Sequence, residues 1–183
     1  MTTLARSTPR SSLETIVGIV GFAAAVAAAS QIAIPLPGTP VPLTLQPMLV
    51  ILAGMWLGPR EGAASMVLYL AAGASGLPVF TPMGAPGIAR FLGPTGGYLF
   101  AYPLAAFVAG ALSRRASTLS RRWMAGIAGV ALIFIGGLAQ LSVLSGGVGR
   151  AVALGITPFA ALDLVKAWAA AAITGSRITR RDS

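Results

Sequence analysis

The chain has 183 residues, of which 56% are hydrophobic and only 9% are charged; soluble domains have about 25% charged residues, so this composition indicates an integral membrane protein. The net charge of +9 comes from arginines in short clusters beside apolar runs, which argues against nucleic-acid binding. The absence of cysteine and histidine excludes a disulfide, a cysteine-ligated metal and an imidazole base.

Six apolar segments predict an all-α membrane protein with six transmembrane helices. They form one domain (13–176) between an N-terminal tail (1–12) and a basic C-terminal tail (177–183). The predicted spans are residues 14–34, 43–57, 60–75, 95–113, 122–144 and 152–174. The second and third are shorter than the roughly 20 residues of a straight span. We expect both to cross with their polar ends, and a re-entrant hairpin is the alternative.

Two Gly/Pro-rich segments interrupt these spans. Residues 35–42, PLPGTPVP, contain four prolines, which exclude a helix and predict a stiff, extended connection. Residues 73–97 are the longest irregular stretch, and such loops are usually functional or disordered. This one includes the large apolar residues Phe80, Met83, Ile88 and Phe91. These residues favour an ordered cap over a solvated linker.

The arginines are distributed unequally between the two sides of the predicted bundle. With the N-terminus in the cytoplasm, the cytoplasmic segments contain ten arginines and the outer segments contain two, Arg90 and Arg150. This bias follows the positive-inside rule. It predicts that both termini are cytoplasmic, in a multi-pass protein of the cytoplasmic (inner) membrane.

One acid and one base lie within the last predicted span. Asp163 and Lys166 are three residues apart and therefore share a face of a helix. A charge at the bilayer centre costs about 2.5–3.5 kcal/mol on insertion scales, so such residues usually point inward. The helix begins near Val152, or Thr157 and Pro158 form its cap and first position.

Two interpretations of this pair remain open. It is either a structural ion pair or the floor of an outward-facing site for a polar solute, with Arg90 closing over it from the long loop. Two cations and one anion suit a solute that carries a carboxylate and hydrogen-bond donors. No Walker A motif is present, and Asp163 is the only acid deep in a span. We therefore expect a transport subunit without a cofactor, and not an enzyme.

Four segments, in this order, resemble the BioY family, the biotin-specific substrate-binding (S) components of energy-coupling-factor (ECF) vitamin transporters. They are IPLPGTPVPLTLQ (34–46), AGMWLGPREGAASMVLYLAAGASGLPVF (53–80), GPTGGYLFAY (93–102) and ALDLVK (161–166). The likeness extends from about residue 20 to residue 170. It implies an S-component bundle of six helices with biotin, the transported ligand, bound near the outer face.

The resemblance also implies specific residues and partners. It implies that Lys166 and Arg90 bind the biotin carboxylate, that Asp163 binds the ureido group, and that Tyr98 forms part of the pocket wall. The partners are a transmembrane coupling subunit and two cytoplasmic ATPases, or a second copy if the chain acts alone. A small-residue face on the first helix would contact the coupling subunit. Ala23 and Ala27 fit this face, as do the registers 24/28 and 25/29.

Two other functions remain open at this point. The first is a capture subunit for a different vitamin. The second is an autonomous facilitator or structural protein whose Asp163–Lys166 pair holds helices together.

Overall fold

The computed structural model describes residues 11–181, without the side chains of 176–181. The described chain forms seven α-helices, one 3-10 helix (Gly87–Leu92) and an isolated antiparallel pairing of Ile34 with Leu43. The helices are α1 (Ser12–Gln31), α2 (Gln46–Leu57), α3 (Pro59–Ala74), α4 (Gly96–Ser113), α5 (Leu119–Ser145), α6 (Val148–Gly155) and α7 (Ala160–Arg181). They lie on the six predicted segments, with two helices on the last one.

Only two residues of the predicted N-terminal tail, Ser11 and Ser12, are described, and the described part of the C-terminal tail is helical. Residues 1–10 and 182–183, with Arg6 and Arg10, lie outside the described residues. The helix α1 begins with a capping box, in which the backbone N–H groups of Ser11 and Glu14 donate to the side chain of the other residue. At the other end, α7 continues to Arg181, so helix extends into the segment 177–183.

Three helices, α1, α4 and α5, are long and apolar enough to cross a membrane. The pair α6 and α7 passes the same test together but is bent by 55° at residues 156–159, and counts as a fourth span if the pair is one broken span. The bend lies at Pro158, which has no backbone N–H to continue the hydrogen bonds of α6. Neither predicted helix start, Val152 or Pro158, is therefore the observed one.

Close backbone contacts hold α2, α3, α4 and α5 together. A Cβ atom added to Gly54 of α2 would lie 2.0 Å from the carbonyl oxygen of Ala106 in α4. One added to Gly62 of α3 would lie 2.6 Å from the Cα atom of Gly54. Between α4 and α5, one added to Gly97 would lie 2.1 Å from the carbonyl oxygen of Gly136. Helices approach this closely in membranes only where small residues meet.

The alanine-rich face of α1 is partly used inside the chain. Ala23 is buried in the core, and Ala27 is half-buried against it. Ala23 is therefore covered by the core of this chain, and the contact of Ala23 and Ala27 with a coupling subunit stays a prediction. Ala24 and Ala28, one of the alternative pairs, are exposed on the neighbouring face of α1.

Candidate ligand-binding site

A cavity lies where α7 meets the Pro-rich segment, the 3-10 helix and the inner faces of α2, α3, α4 and α5. Its empty space, counted together with the open mouth, is about 610 Å³. Its polar lining residues are Thr44, Gln46, Tyr69, Thr81, Arg90, Thr95, Tyr98, Tyr102, Asp163 and Lys166. Its apolar lining residues are Val41, Pro42, Leu43, Pro47, Phe80, Leu99, Ile133, Phe134 and Phe159. All four residues predicted to bind ligand therefore line one cavity.

Asp163 and Lys166 form a salt bridge in the cavity wall. Lys166 Nζ lies 2.7 Å from Asp163 Oδ1 and donates a second hydrogen bond to the carbonyl oxygen of Thr44, also at 2.7 Å. Asp163 is only 4% exposed. An ammonium group has three N–H donors, so one remains after these two contacts among the described residues. The pair thus links α7 to Thr44, two residues after the Pro-rich segment, and still faces the cavity with both charges.

Arg90 is buried in the 3-10 helix, and its guanidinium group holds the long loop together. Its two terminal nitrogens donate to the carbonyl oxygens of Met83 and Thr81. Gly84 has φ +104°, and an added Cβ atom there would lie 2.6 Å from Arg90 Nη1, so a side chain at this position would displace the arginine. Burial lowers the pKa of Arg90, and the electrostatic effect of nearby Tyr69 opposes this shift. An arginine nevertheless stays protonated at neutral pH.

The remaining nitrogen of Arg90 differs from the other two. Its Nε is buried and has no hydrogen-bond partner among the described residues. A buried donor without a partner is costly. We expected Arg90 to be free to close over a solute, but in this structure two of its five N–H groups are used by carbonyl oxygens of its own loop.

Tyr98 lies in the cavity wall and also stabilises the bend in the last span. Its hydroxyl donates to the carbonyl oxygen of Gly155 at 2.9 Å, and the hydroxyl of Thr39 donates to that of Leu154 at 2.6 Å. In a continuous helix Leu154 would bond to the N–H of residue 158, which is a proline. These two side chains therefore satisfy carbonyl groups that the bend leaves without helical partners.

The sequence did not reveal three polar residues of the cavity. Gln46 Nε2 donates to the Tyr69 hydroxyl at 2.7 Å. The Tyr69 ring stacks on that of Tyr102 at 6.5 Å and meets Phe80 edge-on at 5.5 Å. Both tyrosines lie in apolar runs, where an aromatic residue looks the same whether it lines a cavity or fills a core. The polar residues Thr44 and Gln46, which follow the Pro-rich segment directly before an apolar run, were the available sequence signal for this part of the cavity.

The long loop contains the 3-10 helix and the Arg90 hydrogen bonds, but its apolar residues do not all point inward. Phe80 is buried in the cavity wall, and Phe91 packs against it edge-on at 5.6 Å. In contrast, Ile88 is 72% exposed and Met83 is 36% exposed. A solute in the cavity therefore meets Phe80, together with Thr81 from the same loop, and not the whole set.

Comparison with known proteins agrees with this architecture. Residues 2–181 match the family model described as the BioY family. A probable biotin transporter BioY of Pyrococcus horikoshii is 41% identical over 157 residues, which are 86% of this chain and 91% of that protein. The biotin transporter BioY of Thermotoga maritima is 37% identical over 152 residues, 83% and 88% of the two chains.

The fold also matches a solved structure. It superimposes with a TM-score of 0.85 on a crystal structure, at 2.1 Å, of the S-component for biotin from an ECF-type ABC transporter. The two chains are 27% identical, and the match covers 94% of this chain and 95% of the other. The sequence resemblance, the helical fold and the family match over almost the full length lead to one conclusion: the chain belongs to the BioY family.

Proposed function

We propose that this chain is the biotin-binding S component of an ECF-type transporter and that it captures biotin in the cavity described above. The observation that carries the proposal is the Asp163–Lys166 pair, which places an acceptor and a donor 2.7 Å apart at the wall of an aromatic cavity. Relatives named as biotin transporters support the choice of ligand. A transport role, and not an enzymatic one, follows from the family.

In this proposal Asp163, Lys166 and Arg90 each bind a different polar part of biotin or share its carboxylate. The carboxylate accepts from the third N–H of Lys166 and from Arg90, and Asp163 accepts from a ureido N–H. The thiophane ring and the valerate chain are apolar and lie against Phe80, Phe159 and the Tyr98 ring.

We further propose that all six segments cross the inner membrane, with α6 and α7 forming one broken span and the cavity facing outward. Arg114 supports the six-span topology, because a Cβ atom added to Gly58 would lie 2.5 Å from its Nη2 and six spans put the α2–α3 turn and the end of α4 on the same side. Arg122 lies similarly close to Gly175. Single cysteines at Arg60 and Arg150, labelled from each side of the membrane, test the assignment.

The partners proposed are a transmembrane coupling subunit and two ATPases, and α1 offers a surface for the first. Gly21, Ala24 and Ala28 are exposed and lie on one face of α1, where small residues allow another helix to approach closely. Ala24→Leu combined with Ala28→Leu is expected to leave biotin binding unchanged and to abolish co-purification with the coupling subunit. Retained co-purification would place the interface elsewhere, and self-association of the chain alone is the alternative assembly.

The experiment that tests the ligand assignment is calorimetric titration of the purified chain in detergent with biotin. Asp163→Asn is expected to weaken binding by about 1.5–3 kcal/mol, the scale of a hydrogen bond to a charged group. A folded wild-type protein that does not bind biotin would leave another vitamin as the ligand. Unchanged affinity in a folded Asp163→Asn variant would leave the acid with a structural role.

A further inference from the structure

Gln46, the first residue of α2, is a buried polar side chain in the cavity wall to which neither the charge pattern nor the family resemblance gave a role. It is 4% exposed. Its amide contacts the hydroxyl of Thr44 at 3.3 Å and that of Tyr69 at 2.7 Å. These contacts fix the amide between Thr44 and α3, so the side chain is held in place before any ligand arrives.

The two contacts leave half of the amide without a partner among the described residues. A glutamine amide has two N–H donors and an oxygen with two lone pairs. One N–H and one lone pair are used, so one of each remains. This holds for either orientation of the amide, because both hydroxyl groups donate as well as accept. Gln46 therefore presents both a donor and an acceptor where nearby Asp163 only accepts and Lys166 only donates.

A cyclic urea is the chemical group that fits such a pair, because it carries N–H groups beside a carbonyl oxygen. We propose that Gln46 recognises the urea of the ligand, donating to its carbonyl oxygen and accepting from one of its N–H groups. This rests on the proposed function and makes Gln46 a specificity-determining residue of that site. Asp163 would accept from the second N–H of the same group.

The contacts on the neighbouring residues place these groups together. Lys166 donates to the carbonyl oxygen of Thr44, two residues before Gln46, and is paired with Asp163. The Tyr69 hydroxyl accepts from the Gln46 amide, and the Tyr69 ring stacks on that of Tyr102. The polar residues thus form a continuous strip from Asp163 to Tyr69 along an otherwise apolar wall, so the planar urea ring of the ligand would have polar partners on its edge and apolar side chains on its faces.

The test compares biotin with 2-iminobiotin, in which C=NH replaces the urea carbonyl and is protonated to a guanidinium at neutral pH. Calorimetry is done on the wild-type chain and on Gln46→Glu, whose carboxylate has no N–H for a urea oxygen but accepts from a guanidinium. We expect the ratio of the two affinities to shift toward 2-iminobiotin by about tenfold or more, the scale of one hydrogen bond. Gln46→Met, which lacks both contacts, should lose biotin affinity by about tenfold without that shift.

The outcomes separate this assignment from the function on which it rests. If Gln46 were merely structural, Gln46→Glu would weaken the binding of both ligands equally. An unchanged ratio of the affinities for 2-iminobiotin and biotin would therefore overturn the proposal. Biotin affinity retained by Gln46→Met would overturn it as well. If Gln46→Glu does not fold, the biotin affinity of Gln46→Met decides. A wild-type chain that binds neither ligand would overturn the proposed function itself.

Discussion

Lys166→Met is expected to reduce biotin affinity by about 100-fold or more, the largest loss that a single side chain of this cavity should cause. The change removes the cation for the carboxylate of biotin and leaves Asp163, only 4% exposed, without its counter-charge. Breaking a buried ion pair by removing one partner costs about 3–5 kcal/mol of stability. Thermal unfolding in detergent, measured beside calorimetry, should therefore show a lower midpoint for the variant.

The matched control replaces both charges. Removing a whole buried pair in favour of apolar residues is often neutral for stability, so Lys166→Met combined with Asp163→Leu should recover most of the lost stability. It should not recover biotin binding. If instead Lys166→Met, once folded, binds biotin as the wild type does, the pair only links α7 to Thr44 and the cavity has another cation for the carboxylate.

Gly54→Ala is expected to destabilise the bundle by about 1–3 kcal/mol and to weaken biotin binding. The added Cβ atom would lie 2.0 Å from the carbonyl oxygen of Ala106, which is backbone and has no flexible end to move away. The helices α2 and α4 must separate, and they carry Gln46 and Tyr98 of the cavity. Thermal unfolding in detergent with and without biotin measures both effects.

Gly21→Ala provides the same chemical change without the contact. Gly21 is exposed on α1, and an added Cβ atom there has nothing within 4 Å. Alanine is the better helix former by about 1 kcal/mol at such positions, so this variant should be as stable as the wild type or slightly more stable. Equal destabilisation by both substitutions would mean that glycine acts through the helix itself and not through the α2–α4 contact.

Sequence reasoning predicted the parts of this protein that depend on local pattern. Apolar runs indicate where helices lie, because a membrane span needs a long stretch without charge. The three-residue spacing of Asp163 and Lys166 predicts that they share a face, and the structure places them in one salt bridge. Both inferences need only neighbours along the chain.

The features that the sequence did not predict depend on contacts between distant segments. Tyr69 and Tyr102 belong to apolar runs, and only the packing of α3 against α4 turns them toward a cavity. The alanines of α1 repeat at every register, so the exposed face was decided by the helix that α1 packs on. Arg90 is used by carbonyl groups of its own loop, which no charge count indicates.

The Pro-rich segment 35–42 and the residues that flank it form a part of the cavity wall that hydrogen bonds hold in place. Val41 and Pro42, with Leu43 and Thr44 directly after them, form part of the cavity wall. Three sets of hydrogen bonds hold this wall: the mutual backbone pair of Ile34 and Leu43, Thr39 to the carbonyl oxygen of Leu154, and Lys166 to that of Thr44. A solute that leaves past the wall must wait for these bonds to break, so its residence time depends on the opening rate of the loop as well as on its own contacts.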